Sequence, residues 1–167
     1  PMDVLDHSCS KLGFGGKMCI DGTAKQEEEV DEGYEFGVWS LEFDEESLKQ
    51  KFPEIHNINS SLLKKEIPCL IISVKKNRKG HIRELHEQIC SLEEIKGVKM
   101  ILYIEHTVDA NDLPIALWRL CNNLDPKRDY YISKRSISNL KPQTSNYLAC
   151  IGFDGTRKTK ELDDFNR

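Results

Sequence analysis

Between Pro68 and Phe153 the chain alternates short apolar runs with longer stretches whose apolar residues recur every three or four positions. This alternation constrains the fold most, because a short continuous apolar run suits a buried strand and a 3.6-residue period suits a helix facing a core. Cys69–Val74 is one such run, and residues 98–104 are another. Between them, positions 82, 85, 89 and 92 place apolar side chains on one face of a helix spanning residues 81–95. A further helix starts where Asn111 or Asp112 can cap it, carries Pro114 in its first turn and Leu113, Leu117, Leu120 and Leu124 beyond, and stops before Pro126. Strand-like runs at 130–133 and 148–153 complete the series. The pattern predicts an α/β fold: a mainly parallel or mixed sheet flanked by helices, in a single compact domain.

Upstream the pattern is less regular. Residues 34–43 alternate in the manner of a strand, and Asp44-Glu45-Glu46-Ser47 then opens a helix with acids that suit its dipole, which Pro53 stops after Phe52. Residues 54–67, rich in Asn and Ser around Ile55, Ile58, Leu62 and Leu63, read as a loop with one helical turn. The acidic residues 26–33 have little to bury and read as an exposed linker. The expected organisation is therefore 1–25 as the tail of a preceding unit, 26–33 as linker, 34–158 as the α/β domain and 159–167 as a polar tail.

A chain of 167 residues is long enough for one self-sufficient core. With 38% hydrophobic and 31% charged residues it is too apolar to be wholly disordered, and no apolar run approaches the ~20 residues of a spanning helix. No secretory signal is recognisable, so a cytoplasmic location is expected. A net charge of −4 and the lack of a basic, aromatic-interleaved stripe argue against nucleic acid as a partner. The basic run Lys75, Lys76, Arg78 and Lys79 reads as a solvated turn rather than a phosphate site. The six cysteines contain no Cys-x-x-Cys pair and no accompanying histidine set, so reduced thiols and no metal are expected.

One hexapeptide recurs: Ile20-Asp21-Gly22-Thr23-Ala24-Lys25 returns as Phe153-Asp154-Gly155-Thr156-Arg157-Lys158. Asp-Gly-Thr after an apolar strand end suits a tight turn in which Asp accepts from backbone donors and Gly takes a positive φ, and its repetition suggests duplication. Glu105-His106-Thr107-Val108-Asp109 follows a predicted strand, where open α/β sheets commonly bind ligands. His106 could act there as a general base oriented by Glu105 or Asp109, which makes these three a candidate site for an independent small-molecule-binding or hydrolytic domain, although no nucleophile is evident. Its alternative is structural, with Asp109 and Asn111 capping turns.

Pro1 to Ser8, then Gly15-Gly16-Lys17-Met18-Cys19-Ile20-Asp21-Gly22-Thr23, resembles the C-terminal end of UbiD-type decarboxylases, the 3-octaprenyl-4-hydroxybenzoate carboxy-lyase family. Residues 99–104, 108–112, 117–119, 123–129 and 153–156 resemble the C-terminal subdomain of the same family. The resemblance implies a fragment in which the end of one C-terminal subdomain is followed by an appended second copy. It further implies a parent carboxy-lyase acting on aromatic or unsaturated acids, in ubiquinone or menaquinone biosynthesis. That parent would use prenylated FMN with a divalent metal and potassium, held by other domains, so no cofactor and no catalytic residue is expected here. Val4, Leu5, Asp6 and His7 resemble a segment that contributes to the substrate pocket. The implied partners are the N-terminal and cofactor domains of the parent chain and further copies in a homo-oligomer, with the domain itself supplying stability, subunit contacts and substrate-pocket enclosure.

Overall fold

A computed structural model describes residues 43–65, 67–95, 97–136 and 147–164. Of the expected strand at 34–43 only Phe43 falls within them, and the acidic linker and the first hexapeptide lie outside. The elements run α1 (Glu45–Lys51), β1 (Ile55–Asn59), a 3-10 turn (Leu63–Lys65), β2 (Cys69–Val74), α2 (His81–Ser91), a second 3-10 turn (Glu93–Ile95), β3 (Met100–Glu105), α3 (Leu113–Asn123), β4 (Tyr130–Ser136), β5 (Tyr147–Gly155) and α4 (Lys160–Asp163).

The local signals act as their chemistry requires. Asp44 caps α1, its side chain accepting from the Glu46 and Ser47 amides at 3.1 Å. Asp112, rather than Asn111, caps α3 by accepting from the Ile115 amide at 3.3 Å. Gly80 precedes α2 at φ 70°, a left-handed conformation that glycine adopts without a Cβ clash.

The five strands form one mixed sheet in the order β1-β2-β3-β5-β4. β2, β3 and β5 are mutually parallel, while β1 and β4 pair antiparallel at the two edges. All of β2 is buried, as a central strand covered on both faces must be. Its even-numbered residues Leu70, Ile72 and Val74 join Ile101, Tyr103 and Cys150 under α1 and α2, whereas Cys69 and Ile71 join Leu102, Ile104 and Phe153 under α3.

The structure corrects the sequence reading at four places. Residues 54–67 contain a strand: Ile55-His56-Asn57-Ile58-Asn59 pairs with β2 through a register shift between Ile55 and Asn57. Its Asn content argued against a strand, but a neighbour's unpaired ladder decides the outcome at an edge. The helix expected to reach residue 95 ends at Ser91 and finishes as a separate 3-10 turn. Gly155 does not take a positive φ. It is needed for close approach, because a Cβ there would lie 2.5 Å from Leu120 Cδ1 and 2.7 Å from Leu120 Cα on α3. Beyond Lys158, where a polar tail was expected, the chain turns into α4, capped by Thr159 accepting from the Leu162 amide.

Candidate functional site

The carboxyl ends of β2, β3 and β5 lie at one rim of the sheet, where Val74, Glu105 and Gly155 give way to loops. This rim collects most of the domain's buried charge. Asp154 and Asp129 are each 3% exposed. Asp154 Oδ1 accepts from the Thr156 amide at 2.9 Å and from the Thr156 hydroxyl, and lies 3.0 Å from Lys158 Nζ. Lys158 also donates to the Asp154 carbonyl at 2.7 Å and sits 3.6 Å from Asp129. Arg128 grips both oxygens of Asp129 at 2.7 Å, and the Asp125 amide adds a third bond at 2.9 Å. Burial works to raise the Asp129 carboxyl, but these bonds and the Lys158 charge outweigh it and hold the group below its ordinary value. Burial likewise pushes the Tyr131 hydroxyl up, reinforced by Asp154, to which it donates at 3.4 Å.

A second closure joins the loop after β2 to the last helix. Lys76 donates to both oxygens of Asp163 at 2.7 and 2.9 Å, and the lysine side chain is almost fully buried. Arg78 pairs with Glu84 and Lys79 with Asp164, so three of the four cations in the basic run are neutralised by acids of the same domain. A flavin phosphate and its cations do not fit this edge: most of its positive charge is already paired, and the carboxylates of Asp129 and Asp154 are turned inward onto Thr156, Lys158 and Arg128.

The candidate trio divides. Glu105 ends β3, and one of its oxygens bonds His106 Nδ1 at 2.5 Å while the other accepts from the Arg157 amide at 3.2 Å. Asp109 is directed elsewhere, accepting from the Asn111 amide at 2.9 Å and its side-chain nitrogen at 3.2 Å. The loop is further tied down by Asn59, which donates to the Ala110 carbonyl at 2.8 Å. The structure thus brings Glu105 and His106 together, half-exposed, with His56 5.5 Å away ring to ring, and leaves Asp109 as a turn former. Val4, Leu5, Asp6 and His7 lie outside the described residues.

The sequence reading passed over two groups. Asp129 and Lys158 became partners of Asp154 only through the β4–β5 pairing, which no local pattern announced. His86, Cys90 and Cys150 converge under α2; a His-x-x-x-Cys spacing was their visible signal. Near them, on the same side of the sheet, Arg83 lies 5.2 Å above the Tyr131 ring in an open groove of ≈ 310 Å³ with Glu87, Lys127 and Ser133.

Sheet and rim together define an α/β domain in which the buried charges Asp129 and Asp154 are paired by residues of the same domain. The chain belongs to the UbiD family: the family model for the 3-octaprenyl-4-hydroxybenzoate carboxy-lyase C-terminal domain matches residues 42–155. An uncharacterized protein of Helicobacter pylori is 32% identical over 138 residues, covering 79% of this chain and 20% of the relative. An uncharacterized protein of Aeropyrum pernix is 27% identical over 93 residues, covering 54% of this chain and 19% of that protein. The chain therefore spans about a fifth of the length of these relatives. Among solved structures, vanillic acid decarboxylase of Sedimentibacter hydroxybenzoicus in its open form superposes with a TM-score of 0.57 at 20% identity, over 73% of this chain and 26% of that one. The UbiD-class enzyme HmfF of Pelotomaculum thermopropionicum, in complex with FMN, gives 0.53 at 19% identity, over 73% and 28%. The likeness confirms the α/β fold. No described helix is long and apolar enough to cross a membrane.

Proposed function

We propose that this domain is a non-catalytic C-terminal part of a UbiD-like carboxy-lyase, supporting stability, subunit contacts and enclosure of the substrate pocket, while decarboxylation takes place on prenylated FMN held by other domains of a longer polypeptide. The observation that carries the reading is the unequal covering of the sheet. Two of the eleven residues of α3 are buried, against six of eleven in α2, and Ile115, Leu117 and Trp118 of α3 stand exposed. Tyr130 and Ile132 of β4, opposite Phe153 and Ile151 and so on the α3 face, are exposed as well. An apolar face of this kind is a surface for another domain or copy. The cytoplasm and a homo-oligomer are parts of the same proposal.

The test compares this chain with the longer polypeptide for prenylated-FMN binding and carbon dioxide release from aromatic and unsaturated acids. The expected result is activity in the longer polypeptide and none in this chain. Turnover by this chain alone would overturn the reading. A second reading rests on the Glu105–His106 pair, which leaves a partly exposed imidazole at a strand end as a proton acceptor in an independent small-molecule site. It predicts a small-molecule binding shift, followed by fluorescence, that His106→Ala removes. Binding unchanged in that variant would end it.

A further inference from the structure

His86 and Cys90 are one turn apart on α2 and therefore share its inward face. Cys150 lies on β5 with its side chain in the same core, and all three residues are buried. Their candidate ligand atoms lie within 4.8 Å of one another, and Cys90 Sγ is 3.7 Å from His86 Nδ1 and 3.6 Å from Nε2. Bond lengths of about 2.3 Å to sulfur and 2.0–2.1 Å to nitrogen set neighbouring ligands of a tetrahedral zinc roughly 3.5–3.8 Å apart. The His86–Cys90 separations have that scale, and the three-residue cluster, within 4.8 Å, would close by about an ångström at most around an ion.

The hydrogen bonds select the ligating nitrogen. His86 Nε2 faces the Cys150 carbonyl at 3.3 Å, and a carbonyl can only accept, so Nε2 carries the hydrogen. In the neutral ring Nδ1 then holds the lone pair, at 3.0 Å from the Tyr103 hydroxyl. A ligating histidine whose second nitrogen donates to a backbone carbonyl is the arrangement that fixes tautomer and ring orientation at metal sites. β5 makes room for the ring with Gly152, where a Cβ would come within 2.6 Å of Nδ1.

We propose that His86 Nδ1, Cys90 Sγ and Cys150 Sγ hold a structural zinc-class divalent cation, with the Tyr103 hydroxyl as the fourth contact. Charge supports a divalent ion. Binding displaces one proton from each thiol, and two thiolates with a neutral imidazole and a neutral phenol cancel the charge of M²⁺, so no net charge is buried among the surrounding Ile and Leu side chains. The ion would fasten α2 to β5, elements far apart in sequence. This proposal does not depend on the decarboxylase reading.

The test uses the whole chain, reduced and stripped of metal, and adds zinc or cobalt(II) alone. One equivalent of cobalt(II) is expected to bring thiolate charge-transfer absorption and tetrahedral ligand-field bands. Zinc at 100 times its Kd is expected to raise the unfolding temperature by about 5–10 °C. Cys150→Ser and His86→Gln should lose the cobalt bands, and Cys121→Ser, an exposed control, should keep them. Because a core variant can fail to fold, the unaltered chain also decides: if it is folded by circular dichroism yet shows neither cobalt bands nor a zinc-dependent shift, the proposal falls. A disulfide between Cys90 and Cys150 in the chain isolated without reductant would overturn it equally.

Discussion

The two faces of the sheet are built to different standards. Under α1 and α2, Leu48, Ile72, Ile82, Leu85, Ile89, Ile101 and Tyr103 are all but inaccessible. Under α3 the layer is thinner: Ala116 and Leu120 are the buried residues of that helix, and Trp118 remains 58% and Ile132 54% exposed. Both faces derive from apolar sequence, so hydrophobicity alone does not say which surface a domain completes by itself and which it leaves for a neighbour. The α2 face holds the domain together, and the α3 face is the one left less covered, which the proposed function assigns to docking.

The largest effect that would sharpen this contrast is expected at Leu85. Leu85→Ala should cost about 2–5 kcal/mol in denaturant unfolding, the range for a fully buried leucine leaving a cavity. A cost near zero would mean that the α2 face does not carry the fold. Next comes Asp129 at the rim. Its carboxyl is held low in the folded state, so its contribution is fully present above the unfolded value of about 3.9 and is lost as pH falls through the folded value. Asp129→Asn should lower stability at neutral pH by about 1–3 kcal/mol and flatten the fall in unfolding temperature on acidification below about pH 4. An unchanged acid limb would show that the Arg128 and Lys158 contacts are not felt.

Gly155→Ala should cost about 1–3 kcal/mol, because the new methyl meets the backbone of α3 at Leu120 Cα as well as the Leu120 side chain, and the backbone cannot move aside as a side-chain end can. If this variant were as stable as the parent, α3 would be free to slide outward and its thin layer would be softer than the packing indicates. The smallest effect is expected at Trp118. Trp118→Ala should change the stability of this chain by less than about 0.5 kcal/mol, as for other exposed positions. The same substitution should weaken self-association or docking onto the rest of the longer polypeptide, read by sedimentation. A large loss of monomer stability would break the comparison of the two faces.

Much of the scaffold was legible in the residues. β2 was marked by its apolar run and α1 by the Asp44 cap and Pro53, because those signals are local. β1 was hidden because Asn57 and Asn59 suit loops, and only the free edge of β2 makes that segment a strand. The antiparallel return of β4 onto β5 was equally invisible, since pairing direction has no local signature. At the candidate site, proximity in sequence found Glu105 beside His106, and of the two roles open to Asp109 the structure shows the turn cap, with its own loop satisfying it. Asp154 was noticed as half of a repeated turn, yet its partners Asp129 and Lys158 arrive through tertiary pairing.

The bond between Lys76 and Asp163 bears on where this unit can be cut. The family match stops at residue 155, eight positions before the carboxylate that neutralises a nearly inaccessible ammonium. Trimming the polypeptide at the edge of the recognisable similarity would remove that carboxylate and also Lys158, the cation set beside the buried Asp129 and Asp154, a loss of roughly 3–5 kcal/mol for a buried pair stripped of one member. The physical limit of the fold thus lies beyond the limit of its family resemblance, and an expression boundary should follow the former.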